Sequence, residues 1–393
     1  MAPSSAPSPP RSPGSAASLR VANQRRVLAE LRDRSGGSVS QADLVRQTGL
    51  ASGTVSTIVR DLAASGIVTT IAGSGRRGTA VRLAPGAGLV VGIDFGHHHV
   101  AAAVGDMAGS VLAEARRPLD PDHEATTGLA IAKDLMDALV RDAGADQKAI
   151  RNIGLGLPAP IANDIVMSSA ILPGWVGLNA RQAAADVLAA SVLIENDANL
   201  GALAEWRHGH GRGHRNLVFV KASSGLGAGL ILDGELFRGS DGTAGEIGHV
   251  TVDDRGPLCR CGSRGCLEAY VSSRTALALM EGRMPGADLD AVIAAARSGD
   301  AAARRVIEDA GLHLGWGLAA LVNLVAPDVV IVGGDMARAG DLLLEPALTG
   351  MRRHALPDAA PIEVVAAHLG ERASLVGALT LAIDATDLVA APA

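Results

Sequence analysis

Apolar residues near the N-terminus recur at the spacing of short amphipathic helices. A first helix is predicted over residues 19–34, and a pair of glycines follows it. A second helix is expected between a cap at Ser40 and a stop at Gly49, and a third starts at Ser52. The positions that these helices would bury are Val21, Val27, Leu28, Leu31, Val55, Ile58, Val59 and Leu62.

Two strands of alternating pattern follow the third helix, and the turn between them contains Arg76 and Arg77. Two short helices joined by a tight turn and followed by such a hairpin are typical of a winged helix-turn-helix. The hairpin arginines could reach a phosphate or a narrow minor groove. The exposed face of the third helix would carry Ser52, Thr54, Ser56, Thr57 and Arg60.

Charge favours DNA as the partner of this segment. Residues 1–84 carry a net charge of +7, whereas the rest of the chain carries −13. We therefore expect a disordered tail over residues 1–17 and a DNA-binding domain over residues 18–84. A small helical bundle used for protein contacts is the alternative.

From Leu89 onward, short β-rich runs alternate with alanine-rich helical stretches, which predicts an α/β fold. Helices are expected near 125–143, 179–188, 198–208, 272–281, 301–325 and 374–385. No apolar run approaches the roughly 20 residues that span a bilayer, and the N-terminus has no apolar signal core. We expect a cytoplasmic protein with no membrane partner.

A cysteine cluster is the most specific chemical signal in the chain. His249 is followed by Cys259, Cys261 and Cys266, which together match the Cys3His ligand set of a closed tetrahedral zinc site. Three reduced core cysteines are the alternative, but Arg260 lies between them and is poor core material. The pattern predicts one structural zinc ion per chain.

The segment from Gly248 to Glu268 resembles the signature of the ROK family, which contains repressors and sugar kinases, and the preceding winged helix resembles its repressor branch. The resemblance implies an actin/hexokinase-like body over residues 86–390, with two lobes around a cleft. One lobe would contain residues 86–205 and 374–390, and the other residues 206–373.

The resemblance also implies a sugar site. The residues that match the sugar-contacting set of the family are Asn196, Asp197, Glu246, His249 and Glu268, and Asp197 matches the catalytic base of the kinases. His249 would then serve both zinc and sugar, with one ring nitrogen for each. Spacing alone favours another role for Asn196 and Asp197, as the N-terminal cap of a helix. Ala159 departs from the glycine that is usual in its loop.

Two of the three expected nucleotide-binding loops depart from the kinase pattern. The first turn reads DFGHHH over residues 94–99 instead of Asp-x-Gly-Gly-Thr-Lys, and the second reads SSGLG over residues 223–227 instead of Gly-Thr-Gly. The third keeps Gly333 and Gly334. Phosphoryl transfer depends on a nucleotide held by such loops, so this pattern favours a sugar sensor with impaired ATP binding.

The role of His97, His98 and His99 stays open between several alternatives. A metal site is disfavoured because adjacent strand residues point to opposite faces. An imidazole at this turn could help to bind a sugar 6-phosphate, although Asp94 and Asp197 would repel the phosphate. The sequence leaves a neutral sugar and a sugar phosphate both possible, and a structural role for the histidines is favoured.

Together these observations predict a sugar-responsive transcriptional repressor. Its partners would be operator DNA and a sugar or sugar-phosphate effector, and it would act as a homodimer or homotetramer. An ATP-dependent sugar kinase, with Asp197 as its base, is the alternative.

Overall fold

The computed structural model describes residues 16–32, 37–71, 79–121, 123–168, 171–358 and 361–389. The chain divides into two compact units. Unit 1 contains the N-terminal segment up to Leu89 together with residues 105–110 and the residues from Asp384 onward. Unit 2 contains residues 90–104 and 111–383. Residues 1–15 of the predicted tail lie outside the described residues.

Unit 1 contains short helices and a small sheet in the strand order β1-β3-β2. Its elements are α1 (Ala16–Arg32), β1 (Val39–Ser40), α2 (Gln41–Thr48), α3 (Ser52–Ala64), β2 (Val68–Ile71) and β3 (Ala80–Leu83). The Ser40 side chain accepts a hydrogen bond from the backbone N–H of Asp43 and caps α2. Gly49 ends α2 in the left-handed conformation that favours glycine.

The core of unit 1 contains the predicted apolar positions. Val27, Leu28 and Leu31 of α1 are buried, and so are the four predicted positions of α3, whereas Val21 is half-buried. The end of the described chain contributes to the same unit. Arg25 forms an ion pair with Asp387, and Arg32 donates a hydrogen bond of 2.6 Å to the backbone oxygen of Thr386.

The described part of unit 2 contains two five-stranded sheets and a two-stranded sheet of β8 and β9. The first has the strand order β10-β7-β4-β5-β6, and β10 runs parallel to β7. The elements of this half are β4 (Leu89–Phe95), β5 (His99–Asp106), β6 (Val111–Pro118), α4 (Ala125–Asp142), β7 (Ile150–Leu157), β8 (Ile161–Ala162), β9 (Ile165–Val166), α5 (Ala180–Leu188), β10 (Val192–Asn196) and α6 (Asp197–His208).

The second sheet has the strand order β13-β12-β11-β14-β15, with β14 parallel to both of its neighbours. The elements of this half are β11 (Leu217–Ala222), β12 (Leu226–Leu232), β13 (Glu235–Phe237), α7 (Glu268–Val271), α8 (Ser273–Met280), α9 (Leu289–Arg297), α10 (Ala301–Val325), β14 (Val329–Gly333), α11 (Asp341–His354), β15 (Glu363–Ala366) and α12 (Ala373–Ala385).

The predicted α/β class is confirmed, and each of the six helices expected in the body is present within about two residues. The sequence analysis did not predict α9 and α11. Helix α11 contains Pro346, which weakens a helical prediction, and it packs tightly against α10. A Cβ on Gly315 of α10 would come 2.2 Å from the backbone oxygen of Ala347 in α11. No helix in the described ranges is long and apolar enough to cross a membrane.

Candidate functional site

A cleft in unit 2 brings the predicted sugar residues together. The cavity has a volume of about 340 Å³ and is lined by residues from the ends of β4, β10 and β11 and from the loops that follow them. All five residues that the sequence analysis assigned to a sugar line this cavity, and His97, His98 and His99 line it as well. The five are Asn196, Asp197, Glu246, His249 and Glu268, and we refer to them as the carboxylate half of the cleft.

Asn196 caps α6, as spacing alone favoured. Its side-chain oxygen accepts hydrogen bonds from the backbone N–H groups of Ala198 and Asn199, at 2.9 and 3.2 Å. Its side-chain amide donates to the backbone oxygen of Ala159, at 3.2 Å. The cap therefore fixes the first turn of α6, and this turn places Asp197 at the cavity.

Asp197 has a buried cation beside it. Lys221 Nζ in β11 lies 2.8 Å from Asp197 Oδ2, and it also donates a hydrogen bond of 2.9 Å to Ser374 Oγ in α12. Ser374 in turn donates to the backbone oxygen of Asp197. Burial alone would lower the pKa of Lys221, but the carboxylates of Asp197 and Asp94 raise it above its ordinary value, so Lys221 is an ammonium ion.

Glu246 and Glu268 differ in their partners. Glu268 is buried, and its Oε2 accepts a hydrogen bond of 3.1 Å from the backbone N–H of Leu226. The side chain of Glu246 has no hydrogen bond or ion pair with the described residues, although burial and the carboxylates of Asp197 and Glu268 raise its pKa to about 7. Within the carboxylate half, Glu246 is thus the carboxylate most available to a ligand hydroxyl.

The cysteine cluster lies beside this half of the cleft. The ligand atoms of His249, Cys259, Cys261 and Cys266 lie within 4.8 Å of one another. Cys259 Sγ is 3.8 Å from His249 Nδ1, and the sulfur atoms of Cys261 and Cys266 are 3.6 Å apart. Two ligands bound tetrahedrally at about 2.3 Å from zinc are separated by about 3.8 Å. The four residues can therefore hold a metal ion, and their chemistry and spacing fit zinc.

Arg260 connects the cysteine loop to the cleft. Its guanidinium donates to the backbone oxygen of Ser224, at 3.0 Å, and lies 3.6 Å from Glu268 Oε1. A metal ion held by Cys259 and Cys261 would also fix the backbone on both sides of Arg260, and Arg260 in turn contacts Glu268.

The opposite side of the cavity, which we call the loop half, is formed by residues 96–99, 223–227 and 334–335. We call residues 96–99, which lead from β4 into β5, the histidine turn, and the side chain of His99 packs back onto it. His99 packs on Gly96 so closely that a Cβ on Gly96 would come 2.1 Å from His99 Cε1. The backbone N–H of Gly96 donates to the backbone oxygen of His99, at 2.9 Å.

His99 is a neutral imidazole. Its Nδ1 lies 2.9 Å from the guanidinium of Arg116, which acts as the donor. Burial, followed by the charges of Arg116 and Lys221, lowers the pKa of His99 to about 3. A cationic imidazole was one basis for a phosphate site at this turn, and His99 cannot supply one at neutral pH.

The other two loops also satisfy their own backbone groups. The N–H of Leu226 donates to Glu268, and the N–H of Asp335 donates to Ser223 Oγ, at 3.0 Å. The N–H of Ser223 donates to the backbone oxygen of Gly225, at 2.8 Å. Three amide groups of these two loops, those of Ser223, Leu226 and Asp335, are thus already paired within the chain.

Asp94 lies between the two halves and is buried. Burial raises its pKa to about 6, because desolvation outweighs the opposing charge of Lys221. Its Oδ1 has no hydrogen-bond partner among the described residues. Lys221 therefore faces more than one buried carboxylate.

The predicted DNA-reading residues lie on α3 of unit 1. Ser52, Thr54, Thr57 and Arg60 are exposed. Ser56 is half-buried, and its hydroxyl donates to the side-chain oxygen of Gln41 in α2, at 3.1 Å. Arg76 and Arg77 lie outside the described residues.

Sequence reasoning did not find Lys221, Ser374 or Arg116. Lys221 is one of only three lysines in a chain with 35 basic residues, and it stands two residues before an altered loop. That unusual choice of residue was a signal that could have been used. The contacts of Ser374 and Arg116 are formed by residues far apart in the sequence, and the pattern of the chain does not reveal them.

The body and the N-terminal segment match two different protein-family models. The model of the ROK family matches residues 90–385. Residues 21–77 match the model of a domain of unknown function (DUF7343).

Individual relatives fall into two groups by the part of the chain that they match. The xylose repressor of Bacillus subtilis is 27% identical over 93% of this chain and 96% of its own length. A glucokinase of Streptomyces coelicolor is 32% identical over 75% of this chain and 98% of its own length. The crystal structure of a ROK family transcriptional regulator, a homolog of the E. coli MLC protein, matches 94% of this chain with a TM-score of 0.77 at 23% identity and has the same fold. The resemblance to the repressor branch and the actin/hexokinase-like fold are thereby confirmed.

Proposed function

Because this chain belongs to the ROK family, we propose that it is a sugar-responsive transcriptional repressor. In this proposal, unit 1 binds operator DNA, and the cleft of unit 2 binds a sugar that changes the affinity for DNA. The observation that carries the proposal is the contrast within the cleft. Hydrogen-bonding groups converge in the carboxylate half, whereas the N–H groups of Gly96, Leu226 and Asp335 in the loop half are paired within the chain.

The carboxylate half supports sugar binding by its chemistry. Carboxylates accept hydrogen bonds from hydroxyl groups, and a carboxyl group with a pKa of about 7, such as that of Glu246, can also donate one when it is protonated. Glu246 has no competing partner among the described residues, and Asp197 is held in place by the Asn196 cap and by Lys221. We therefore assign Glu246 and Asp197 to the sugar hydroxyls, with His249, Glu268 and Asn196 shaping the site around them.

The cysteine cluster would bind one zinc ion per chain with a structural role. When bound, zinc would fix the loop and the imidazole of His249. The Nδ1 atom of His249 faces the cysteine sulfurs, which leaves Nε2 for a ligand. The bound ion would thereby also hold Arg260, and through it Glu268, in position at the sugar site.

DNA binding is proposed for the exposed face of α3. Ser52, Thr54, Thr57 and Arg60 would meet base edges or phosphates, and Arg76 and Arg77 of the predicted wing would add contacts. Ser56 would act differently, because its hydroxyl is engaged with Gln41 and so helps to join α2 and α3.

Two copies of unit 1, in a homodimer or homotetramer, would read half-sites set by their symmetry. Full-length similarity to the xylose repressor supports this arrangement of a DNA-binding segment and a sugar-binding body. Coupling between the two sites is expected to amount to about 1–3 kcal/mol.

Operator binding is tested with DNA selected from a random pool by the full-length protein. Arg60→Ala should weaken binding and reduce the salt slope by about one unit, because one phosphate or base contact is lost. Arg151→Ala is the matched control, since it removes an exposed arginine from unit 2. Equal effects of both variants on DNA binding would show that Arg60 of α3 does not contact the DNA.

A thermal-shift screen of sugars, amino sugars and their phosphates then tests the cleft. A sugar that stabilises the protein should change its affinity for the selected DNA, and the DNA should change the affinity for the sugar by the same factor. A stabilising sugar with no effect on DNA binding would contradict the proposed coupling.

An ATP-dependent sugar kinase is the second candidate, favoured by the glucokinase relatives and by Asp197. Against it stand the ammonium of Lys221 beside Asp197 and the paired amides of the loop half. Sugar-dependent ADP release near 1 s⁻¹ or faster, abolished in Asp197→Asn, would favour the kinase.

A further inference from the structure

Lys221 is unusual both as a residue type and in its position. The chain contains three lysines among 35 basic residues, so it uses arginine nearly everywhere else. In the sheet, Lys221 is paired with Gly227 of β12 and Gly333 of β14, and neither neighbour has a side chain that could crowd it. A single compact ammonium group therefore occupies the junction between the two halves of the cleft.

The ammonium of Lys221 is already neutralised. Its Nζ lies 2.8 Å from Asp197 and donates to Ser374, and the charges of Asp94 and Asp335 act on it as well. An ammonium has three N–H donors, of which these contacts use two. One cation thus faces several carboxylates, and the junction offers no excess positive charge to an anion.

The other cations of the cleft are paired in the same way. Arg116 lies 3.4 Å from Glu371, Arg338 lies 3.2 Å from Glu371, and Arg260 lies 3.6 Å from Glu268. Arg274 is the exception among the described lining residues, because it has no carboxylate within 4 Å. It is exposed, so that solvent and salt weaken its attraction for an anion.

We infer that the effector of the cleft is an uncharged sugar, and that the Lys221–Asp197 pair is the specificity determinant that excludes a phosphorylated one. This inference rests on the proposed function and names the ligand class of the same site. A phosphate that enters the cavity would lose its water beside Asp94 and Asp197, and the cation that could compensate is already paired.

The loop half adds a second, independent reason. A buried phosphate is usually held by backbone N–H groups. Here the N–H groups of Gly96, Leu226 and Asp335 each donate to an acceptor of the chain. A neutral sugar needs neither a free cation nor these amides, and its hydroxyls can donate to Glu246 and to the second oxygen of Asp197.

The test measures matched pairs of ligands by calorimetry on the full-length protein. The pairs are glucose with glucose 6-phosphate, xylose with xylose 5-phosphate, and N-acetylglucosamine with its 6-phosphate. For the pair that contains the best ligand, we expect the neutral member to bind at least tenfold more tightly.

Asp197→Asn then tests the role of Lys221. The substitution keeps the shape of the side chain but removes its charge, so that the ammonium loses its nearest counterion and attracts a phosphate more strongly than in the wild type. We expect weaker binding of the neutral sugar and a shift in preference toward the phosphorylated member of at least tenfold. Glu246→Gln is the matched control, because it removes a carboxylate from the same cavity that does not pair with Lys221. It should weaken the neutral sugar without a gain for the phosphate.

Three other results of the calorimetric test would contradict the inference or a part of it. A wild-type preference for a phosphorylated member would overturn it and leave the proposed function intact, and Arg274→Ala would show whether the anion is held at that arginine. An unchanged preference in Asp197→Asn would overturn the role of the ion pair. Failure of every neutral and phosphorylated sugar to bind would overturn the proposed function together with the inference.

Discussion

The two halves of the cleft differ in how their polar groups are paired. The carboxylate half keeps Glu246 without a partner and holds Asp197 with one oxygen engaged. In the loop half, the N–H groups of Gly96, Leu226 and Asp335 are paired within the chain, and His99 covers Gly96. Buried polar groups are normally satisfied, so groups left open in a cleft mark where a ligand completes the hydrogen bonding. We therefore propose that the ligand lies in the carboxylate half.

The largest expected effect on this comparison comes from the metal ligands. Cys261→Ser should lower the zinc content from about one ion per chain to nearly none and abolish the sugar response, because the loop that holds Arg260 and Glu268 loses its order. Elemental analysis and thermal shifts with sugar measure both quantities. Ser263→Ala is the control, since Ser263 lies in the same loop and is exposed. If a variant in which Cys259, Cys261 and Cys266 are all replaced still contained about one zinc ion per chain, the proposed zinc site would be refuted.

A matched pair of variants compares the two halves directly. Glu246→Ala should weaken sugar binding by about 0.5–3 kcal/mol, the range from a neutral to a charged hydrogen bond, because a pKa of about 7 leaves Glu246 partly protonated near neutral pH. Ser223→Ala removes the acceptor of the Asp335 N–H but should leave the sugar affinity within twofold. Calorimetric titration measures the sugar affinity of both variants. An equal loss of affinity in the two would show that the loop half also contacts the sugar.

A smaller effect is expected when the histidine turn is rebuilt. Replacing residues 97–99 by Gly-Thr-Lys should raise the affinity for a magnesium–nucleotide complex at most severalfold and produce no sugar-dependent ADP release. The reason is that the N–H groups of Leu226 and Asp335 stay paired and that Lys221 stays beside Asp197. Turnover in this variant would mean that the turn alone separates sensor from kinase.

The effect that is smallest near neutral pH is a change in how stability depends on pH. In the folded protein the pKa of His99 is about 3, whereas an unfolded histidine titrates near 6.5. Between these values the unfolded chain binds the proton and the folded chain does not, so stability falls as the pH is lowered from about 6.5 toward 3. His99→Asn should reduce this acid-induced fall in Tm.

His214→Asn is the control for that measurement, because His214 lies outside the lining of the cleft. Asp94 acts with the opposite sign. Its folded pKa of about 6 lies above the unfolded value near 3.9, so its contribution to stability falls as the pH rises through this range. An Asp94→Asn variant should lose that component, which separates the two groups.

The sequence predicted those features that depend on local pattern. Ser40 and Gly49 gave the limits of α2 through capping and left-handed geometry, and the spacing from His249 to Cys266 gave the cysteine cluster. The resemblance to a family gave Asp197 and Glu246 as neighbours in one cleft. These signals are carried by residues close together in the chain or by a motif.

The remaining features depend on contacts between distant residues. Lys221 reaches Asp197 across 24 positions and Ser374 across 153. Nothing in the spacing of the chain could indicate that the one ammonium of the cleft would pair with the candidate base. Asn196 was assigned to a sugar by resemblance and to a helix cap by spacing, and its contacts in the structure are those of the cap.

Unit 1 is completed by residues that are synthesised long after its helices. Arg25 and Arg32 of α1 find their partners at Asp387 and Thr386, more than 350 residues later. During translation, the whole of unit 2 must leave the ribosome before these contacts can form. Burial lowers the pKa of the Arg32 guanidinium, with Asp384 and Asp387 opposing that effect, so the late segment also brings the compensating charge. A nascent chain interrupted before residue 384 would therefore lack these partners of α1, so that completion of unit 1, for which we propose DNA binding, depends on completed synthesis of the body.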